Sequence, residues 1–242
     1  MKLIKTKDYN ELSKVACELT INYLKELVNP VLGLATGSTP EGLYSCLIDY
    51  HKKTGFSFAD VKSFNLDEYI GLSEENENSY HYYMNEKLFS HIDIKPENTH
   101  VPNGMATDFS FECDRYEKEI KLAKGINLQL LGLGVNGHIG FNEPGTSFQS
   151  TTQVITLDKS TRNANAHFFA SQGEVPKQAI SMGIKSIMET EKIILLASGT
   201  KKANALYHLL EGDITEAFPA SILNKHADVT IIADEDALSK IK

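Results

Sequence analysis

The chain has 242 residues, of which 41% are hydrophobic and 23% charged, and a formal net charge of -8 at pH 7. Its length predicts one α/β domain over residues 1–242, and its acidic balance argues against a nucleic-acid partner. No apolar run has the length of a signal peptide or a membrane span, which predicts a cytoplasmic protein without a membrane partner. The widely spaced Cys17, Cys46 and Cys113 lack metal-ligand spacing and predict reduced thiols.

A first possible anion site lies between a strand and a helix. Apolar residues at helical spacing predict a helix over residues 8–27, and Val31–Ala35 predicts a short buried strand. A helix over about residues 41–53 follows. The residues before this helix are Thr36, Gly37, Ser38, Thr39 and Pro40. Hydroxyl and N–H groups at a helix amino terminus favour an anion, because those donors have no partner within the helix. The alternative is an ordinary cap by Ser38 or Thr39 with nothing bound.

Two adjacent carboxylates follow the next predicted strand, Val61–Leu66. On their own, Asp67 and Glu68 are typical of solvated turn residues. Ser79 is predicted to cap a helix rich in aromatic residues, a stripe that is typical of a core. Residues 94–109 are predicted to be irregular, and a helix over about residues 109–123 follows.

The stretch LLGLGVNGHIGFNEPGT, residues 130–146, carries the strongest chemical pattern. An apolar strand over residues 128–133 ends in a turn rich in glycine. His138, Asn142 and Glu143 come directly after this turn. An imidazole and a carboxylate on a loop at a strand's carboxyl end indicate an acid–base site. The alternative is a loop histidine that only bonds its neighbours.

Further strands are predicted over residues 153–157, 192–197 and 229–233, with helices over residues 160–169, within 175–189, and from Ser198–Lys202 to Leu210. Lys202 is either a solvated lysine or a ligand of a bound anion. A lysine is unfavourable near the positive amino end of a helix, and a bound anion would offset that repulsion. The recurring strand–loop–helix order predicts a single open, mostly parallel twisted sheet with helices on both faces, a Rossmann-like α/β fold.

Three motifs resemble those of the glucosamine-6-phosphate deaminase (glucosamine/galactosamine-6-phosphate isomerase) family. The central loop fits G-x-G-x-[DN]-G-H-I-[AG]-F-N-E-P, and residues 36–40 fit T-G-[GS]-T-P. Residues 64–69 fit F-N-[LM]-D-E-Y. The related 6-phosphogluconolactonases share the G-H core but not the F-N-E-P continuation. The resemblance covers essentially the whole chain, and by it residues 219–225 form a short helix.

The resemblance implies conversion of glucosamine 6-phosphate and water to fructose 6-phosphate and ammonium in amino-sugar catabolism. It assigns Asp67 as the enolisation base, and His138, supported by Glu143, is suited to open the sugar ring. Asn136 stands where some members have aspartate, so we expect His138 to be less basic here than beside a carboxylate. Tyr80 matches a residue of a mobile lid. The chemistry requires no metal or organic cofactor.

The sugar phosphate is expected on Thr36, Gly37, Ser38, Thr39 and Lys202. His167 stands where the family commonly has an arginine for the phosphate. Histidine offers fewer hydrogen-bond donors than arginine, which leaves three alternatives. His167 binds the phosphate weakly, Arg162 or a water compensates for the missing arginine, or the affinity for the substrate is lower.

Two other functions fit the same fold, a 6-phosphogluconolactonase-like hydrolase and a non-catalytic sugar-phosphate-binding regulator. Asp67, His138 and Glu143 together, without an appended DNA-binding helix pair, favour the deaminase. The partner is a small sugar phosphate, and the protein is either a homo-oligomer or a monomer. Gln153 and Ile155 stand where regulated members have basic side chains, and the chain ends at Lys242. Both features predict hyperbolic kinetics without an activator.

Overall fold

A computed structural model gives the fold and describes residues 1–166, 169 and 171–241. The strands are β1 (Lys2–Thr6), β2 (Val31–Leu34), β3 (Lys62–Asn65), β4 (Asp67–Tyr69), β5 (Thr99–His100), β6 (Leu128–Gly132), β7 (Gln153–Thr156), β8 (Gln178–Ser181), β9 (Lys192–Ala197) and β10 (Val229–Asp234). The α-helices are α1 (Tyr9–Leu24), α2 (Glu41–Thr54), α3 (Tyr80–Lys87), α4 (Phe109–Leu122), α5 (Lys159–Asn165), α6 (Ile184–Met188) and α7 (Ala203–Glu211). Short 3-10 helices include Thr200–Lys202 and Pro219–Lys225.

Within these residues a central sheet has the strand order β1-β10-β9-β6-β2-β3-β5, and every neighbouring pair is parallel. Alternate side chains of a strand point to opposite faces, and both faces are covered. Leu32 and Leu34 pack in the cluster that includes buried residues of α1 and α2. Leu131 and Ile193 pack in the cluster that includes residues of α4 and α7. The predicted mostly parallel sheet with helices on both faces is confirmed.

A second sheet, of three antiparallel strands in the order β4-β8-β7, was not predicted, so the expectation of a single sheet is wrong in this respect. Asp67 and Glu68 therefore lie in a strand and not in a solvated turn, and both are buried. The strands β1, β5 and β8 were also not predicted. These strands are short, partly exposed or partly polar, so they carry no continuous apolar run and depend on pairing with neighbours.

The direction of the chain reverses across the sheet between β2 and β6. From β2 the chain proceeds outward to β3 and β5, then returns to β6 and proceeds the other way to β9 and β10. Ligands of open α/β sheets bind at such a reversal, beyond the carboxyl ends of the strands. None of the helices in the described part of the chain is long and apolar enough to cross a lipid bilayer.

Candidate active site

A cavity of about 620 Å³ lies at the carboxyl ends of the adjacent strands β9, β6 and β2. The loop after each of these strands contributes to its wall, and Asp67 and Tyr80 also line the cavity. The cavity therefore brings together most residues that the sequence singled out. Asn136 and Glu143 are exceptions, since they contact His138 and do not belong to the lining that the described residues form.

The loop after β2 leaves its backbone N–H groups free. Gly37 has φ 86°, a conformation that favours glycine, and Pro40 is the N-cap of α2 without a side-chain cap hydrogen bond. The alternative that Ser38 or Thr39 caps this helix is therefore wrong. Within the described residues, the N–H groups of residues 36–39 donate no hydrogen bond. These donors remain available to an anion.

The His138 loop is compact because glycine allows its ring to approach the backbone. A Cβ on Gly134 would lie 2.4 Å from the His138 ring, so only glycine fits there. The Gly134 N–H donates to the His138 carbonyl at 2.9 Å, and the His138 N–H donates to Asn136 Oδ1 at 3.2 Å. Asn142 Nδ2 bonds the carbonyls of Ile139 and Met182 at 2.9 and 2.8 Å. These bonds fix where the imidazole stands.

A buried carboxylate lies behind the imidazole. Glu143 Oε2 is 3.7 Å from His138 Nδ1 and accepts a 2.8 Å hydrogen bond from Asn136 Nδ2. Burial lowers the pKa of His138, and the positive charge of Lys202 lowers it further. The negative charge of Glu143 acts in the other direction but does not cancel the shift. Burial is therefore the main cause of the low pKa of His138, and the sequence does not reveal it. The lower basicity expected from Asn136 in place of a carboxylate stays a prediction. A neutral imidazole at pH 7 can accept a proton.

Asp67 is a buried carboxyl in the wall of the cavity, 5% exposed. Burial, with the neighbouring charge of Glu68, raises its pKa to about 8. A Cβ on Gly140, which has φ 56°, would lie 3.5 Å from Asp67 Oδ2. The loop that carries His138 therefore approaches Asp67 closely, and a carboxyl of this basicity is suited to remove a proton from carbon.

Glu68 has a role that the sequence analysis missed. Its carboxylate accepts the N–H groups of Tyr69, Tyr80 and His81 at 2.8, 2.9 and 2.9 Å. Burial raises the pKa of Glu68 to about 7, although these three hydrogen bonds act to lower it. Two of the donors begin α3, whose predicted cap is confirmed by the bond from the Tyr82 N–H to Ser79 Oγ at 3.0 Å. Glu68 thus joins the strand of Asp67 to the helix of Tyr80.

Tyr80 lies where the predicted lid meets the cavity. Its hydroxyl is 3.2 Å from that of Tyr69, and its ring packs on Tyr69 and Phe141 with centroids 4.8 and 5.9 Å apart. Asn165 Nδ2 also bonds the Tyr69 hydroxyl, at 3.0 Å. The aromatic residues of the helix after Ser79 were interpreted as core, and only Tyr80 among them was singled out.

The loop after β9 repeats the chemistry of the loop after β2. Gly199 has φ 85°, close to that of Gly37, and each glycine is flanked by Ser and Thr residues. Ser198, Gly199 and Thr200 line the cavity, although the sequence analysis singled out only Lys202. The shared strand–hydroxyl–Gly–hydroxyl order is the signal that could have identified them. Lys202 also lines the cavity at the start of α7, and burial and Lys201 lower its pKa.

His167 lies outside the described residues. Arg162, considered as its substitute, donates to the Val175 carbonyl at 3.1 Å and does not belong to the lining that the described residues form. Thr161 and Asn165, on the same helix, do line the cavity and were missed. Among the described residues, no cluster of three or more His, Cys, Asp or Glu side chains could hold a metal ion.

Comparison with known families relates this geometry to a chemistry. The family described as glucosamine-6-phosphate isomerases/6-phosphogluconolactonase matches residues 7–232. The chain belongs to this family. Glucosamine-6-phosphate deaminase of Oceanobacillus iheyensis is 58% identical over 241 residues, 100% of this chain and 96% of the relative. Glucosamine-6-phosphate deaminase 1 of Bacillus subtilis is 51% identical over 239 residues, 99% of each chain.

Solved structures of the isomerase/lactonase family share the fold. A structure described as a monomeric glucosamine-6-phosphate deaminase has a TM-score of 0.98 and 51% identity, covering 99% of this chain and 100% of that one. A 6-phosphogluconolactonase from Trypanosoma cruzi has a TM-score of 0.80 at 21% identity, covering 100% of this chain and 97% of that one. At that identity, the second likeness shows the fold alone.

Proposed function

We propose that the chain is a glucosamine-6-phosphate deaminase, which converts glucosamine 6-phosphate and water to fructose 6-phosphate and ammonium. The observation that carries this proposal is that a carboxyl with a pKa of about 8, an imidazole and two donor-rich loops line one cavity. Full-length relatives with this name at 51–58% identity support it.

His138 opens the pyranose ring in this proposal. Its neutral imidazole takes the proton of the C1 hydroxyl and returns a proton to the ring oxygen, which leaves an open-chain aldehyde. Glu143 stabilises the imidazolium that forms between these two transfers, because its carboxylate is 3.7 Å from Nδ1. Asn136 holds that carboxylate in place through the 2.8 Å bond to Oε2.

Asp67 moves the proton between carbons. As a carboxylate it removes the C2 proton while the aldehyde oxygen at C1 takes up a proton, which gives an enolamine. As a carboxylic acid it returns its proton to C1 while the amino group gives up a proton, which gives an imine at C2. Water adds to the imine carbon, the remaining hydroxyl proton passes to the nitrogen, and the C2–N bond breaks to release ammonia and leave the C2 ketone. A pKa of about 8 makes Asp67 a stronger base than a solvated aspartate.

The phosphate is held by local donors, since the protein as a whole is acidic. The free N–H groups of the loop after β2, the hydroxyls of Thr36, Ser38 and Thr39, and the Lys202 ammonium are the groups we assign to it. His167 adds a further contact in this proposal. Binding the remote phosphate orients C1 and C2 against His138 and Asp67.

The test is incubation of the protein with glucosamine 6-phosphate, with ammonium and fructose 6-phosphate measured separately. We expect equal amounts of both products. Acid release from 6-phosphogluconolactone without any ammonium from the amino sugar would instead support the lactonase. Binding of the sugar phosphate without turnover of either compound would support the regulator.

We also propose that the protein acts in the cytoplasm, and that it is a monomer because a 51% identical relative is described as monomeric. Light scattering on the eluting peak of a sizing column tests this part, and a mass of two or more chains would contradict it.

A further inference from the structure

Three tyrosines from three helices bond the carbonyls of the loop after β2. Tyr44 of α2 donates to the Ala35 carbonyl at 2.5 Å, and Tyr83 of α3 donates to the Gly37 carbonyl at 2.6 Å. Tyr9 of α1 is 3.0 Å from the Ser38 carbonyl and 3.1 Å from that of Thr39, so its one hydrogen is shared. Four of the five carbonyls from residue 35 to 39 are therefore held by tyrosine hydroxyls.

A held carbonyl also fixes the N–H group of the next residue. The peptide unit is planar and trans, so its carbonyl and its N–H point to opposite sides. The described residues include no cis peptide bond. Holding the carbonyls of Ala35, Gly37 and Ser38 thus turns the N–H groups of residues 36, 38 and 39 away from the tyrosines.

The cavity lies on that opposite side. Every residue from 35 to 39 lines the cavity, whereas Tyr9, Tyr44 and Tyr83 are outside the lining that the described residues form. The three N–H groups consequently face the cavity and have no partner within the described chain. An arrangement of converging, unpaired N–H donors is an anion site.

Tyr9 also frees the side-chain hydroxyls of this loop. Its oxygen accepts the N–H of Gly42 at 2.8 Å, in the first turn of α2. A Ser or Thr at the helix start would normally accept such an N–H. Because a tyrosine of another helix does so here, the hydroxyls of Ser38 and Thr39 are not needed for the cap.

We propose that Tyr9, Tyr44 and Tyr83 are positioning residues that aim the backbone donors of residues 36, 38 and 39 at the substrate phosphate. This inference rests on the proposed function only for the identity of the substrate. Burial raises the pKa of Tyr44 and of Tyr83, so both hydroxyls stay protonated and donate at any pH where the enzyme works. Tyr83 also connects the lid helix α3 to the loop.

The experiment replaces single hydroxyls while keeping the rings. Tyr83→Phe and Tyr9→Phe, alone and combined, are compared with the native protein. Tyr44 is left out because it is completely buried, where a lost partner would threaten the fold. The matched control is Tyr23→Phe, which also lies on α1 and loses a hydroxyl bond, 3.1 Å to Glu191, away from the cavity.

Two readouts are measured on each protein, the binding of inorganic phosphate by calorimetry and the kinetics with glucosamine 6-phosphate. For each single variant we expect the Kd for phosphate and the KM to rise together by about 3- to 10-fold, the range for one hydrogen bond, and kcat to change less than about twofold. The double variant should show a larger loss, and Tyr23→Phe should behave as the native protein.

An unchanged Kd and KM in both tyrosine variants, an equal change in the control, or no phosphate binding by the native protein would overturn the inference. A native protein that binds phosphate in a tyrosine-dependent way but releases no ammonium would contradict the proposed function and support the positioning role. Full ammonium release by the native protein, with no effect of the tyrosine substitutions, would support the proposed function and contradict the positioning role.

Discussion

Asp67 is held in an environment that favours its chemistry and opposes its charge. Its carboxyl is buried beside Glu68, and its pKa is raised to about 8 from an ordinary 3.8. The unfolded chain ionises this group near pH 4, but the folded chain does so only near pH 8. The stability that the protonated form provides is complete below pH 4 and is lost as the pH rises to 8.

Asp67→Asn separates function from stability. We expect turnover to fall by roughly a hundredfold or more, because the general base is lost while the shape is kept. We also expect the melting temperature to exceed that of the native protein by roughly 5 °C at pH 8, with no difference at pH 4, because a buried charge is removed. Ammonium release and thermal unfolding at the two pH values measure these effects. Near-normal turnover would contradict the role of Asp67 as base.

Glu68 should set the pH at which Asp67 becomes active. A base must be deprotonated, so kcat/KM rises with pH as Asp67 ionises, and the negative charge of Glu68 delays that ionisation. We expect Glu68→Gln to move this rise to lower pH by roughly half a pH unit or more. Glu86→Gln, which removes an exposed carboxylate on α3, the helix whose first N–H groups Glu68 accepts, is the control and should leave the profile unchanged. A profile that moves to higher pH in Glu68→Gln would contradict the charge effect.

At the scale of elements, the loop after β2 depends on one left-handed residue. Gly37 has φ 86°, and a Cβ added there meets nothing within 4 Å, so alanine is opposed by the backbone alone. Gly55, the C-cap of α2, has φ 72° and equally open surroundings. The two glycines therefore form a matched pair, one in the cavity wall and one outside it.

Gly37→Ala and Gly55→Ala should each lower the free energy of unfolding by about 1–2 kcal/mol, the cost of a left-handed alanine. Only Gly37→Ala should raise the KM for glucosamine 6-phosphate, by roughly 10-fold. The strained backbone at residue 37 would relax by a movement that displaces the N–H donors of this loop from the phosphate. Denaturant unfolding and initial rates measure the two effects. An equal rise of KM in both variants would show that general destabilisation is responsible.

The elements that the sequence predicted share a simple signal. The strands β2, β6 and β9 are apolar runs, and the polar loops after them could be recognised as parts of one site before the fold was known. The strand β4 could not be recognised, because Asp67-Glu68-Tyr69 becomes a strand only by pairing with β8. The roles of Tyr9 and Tyr83 were hidden for a related reason. A tyrosine in a helix face looks like core until its hydroxyl partner, distant in the chain, is known.

At the scale of the whole molecule, the position of β7 bears on regulation. Ile155 packs beside the aromatic cluster of Tyr69 and Phe141, and Gln153 pairs with Ser181 of β8. Neither side chain carries a positive charge. An activator with a phosphate group would lose its water there and gain no charged donor from these two side chains in return.

We therefore expect hyperbolic kinetics in glucosamine 6-phosphate and no activation by N-acetylglucosamine 6-phosphate. An effector acts only through different affinities for two states of the protein, and the absence of charge at residues 153 and 155 offers no such difference. Initial rates over a range of substrate concentrations, with and without the N-acetylated compound, measure this. A sigmoidal curve that the compound makes hyperbolic would contradict the prediction.

The strand order β9-β6-β2 also has a consequence for folding during synthesis on the ribosome. The cavity needs loops that begin at residues 36 and 198, so it cannot exist until most of the chain has been synthesised. Until β9 emerges from the ribosome, the edge of β6 that pairs with β9 has no partner, and β6 is itself an apolar strand. Such an edge invites pairing with other nascent chains. We expect the period between the synthesis of β6 and β9 to be when this protein most depends on a chaperone.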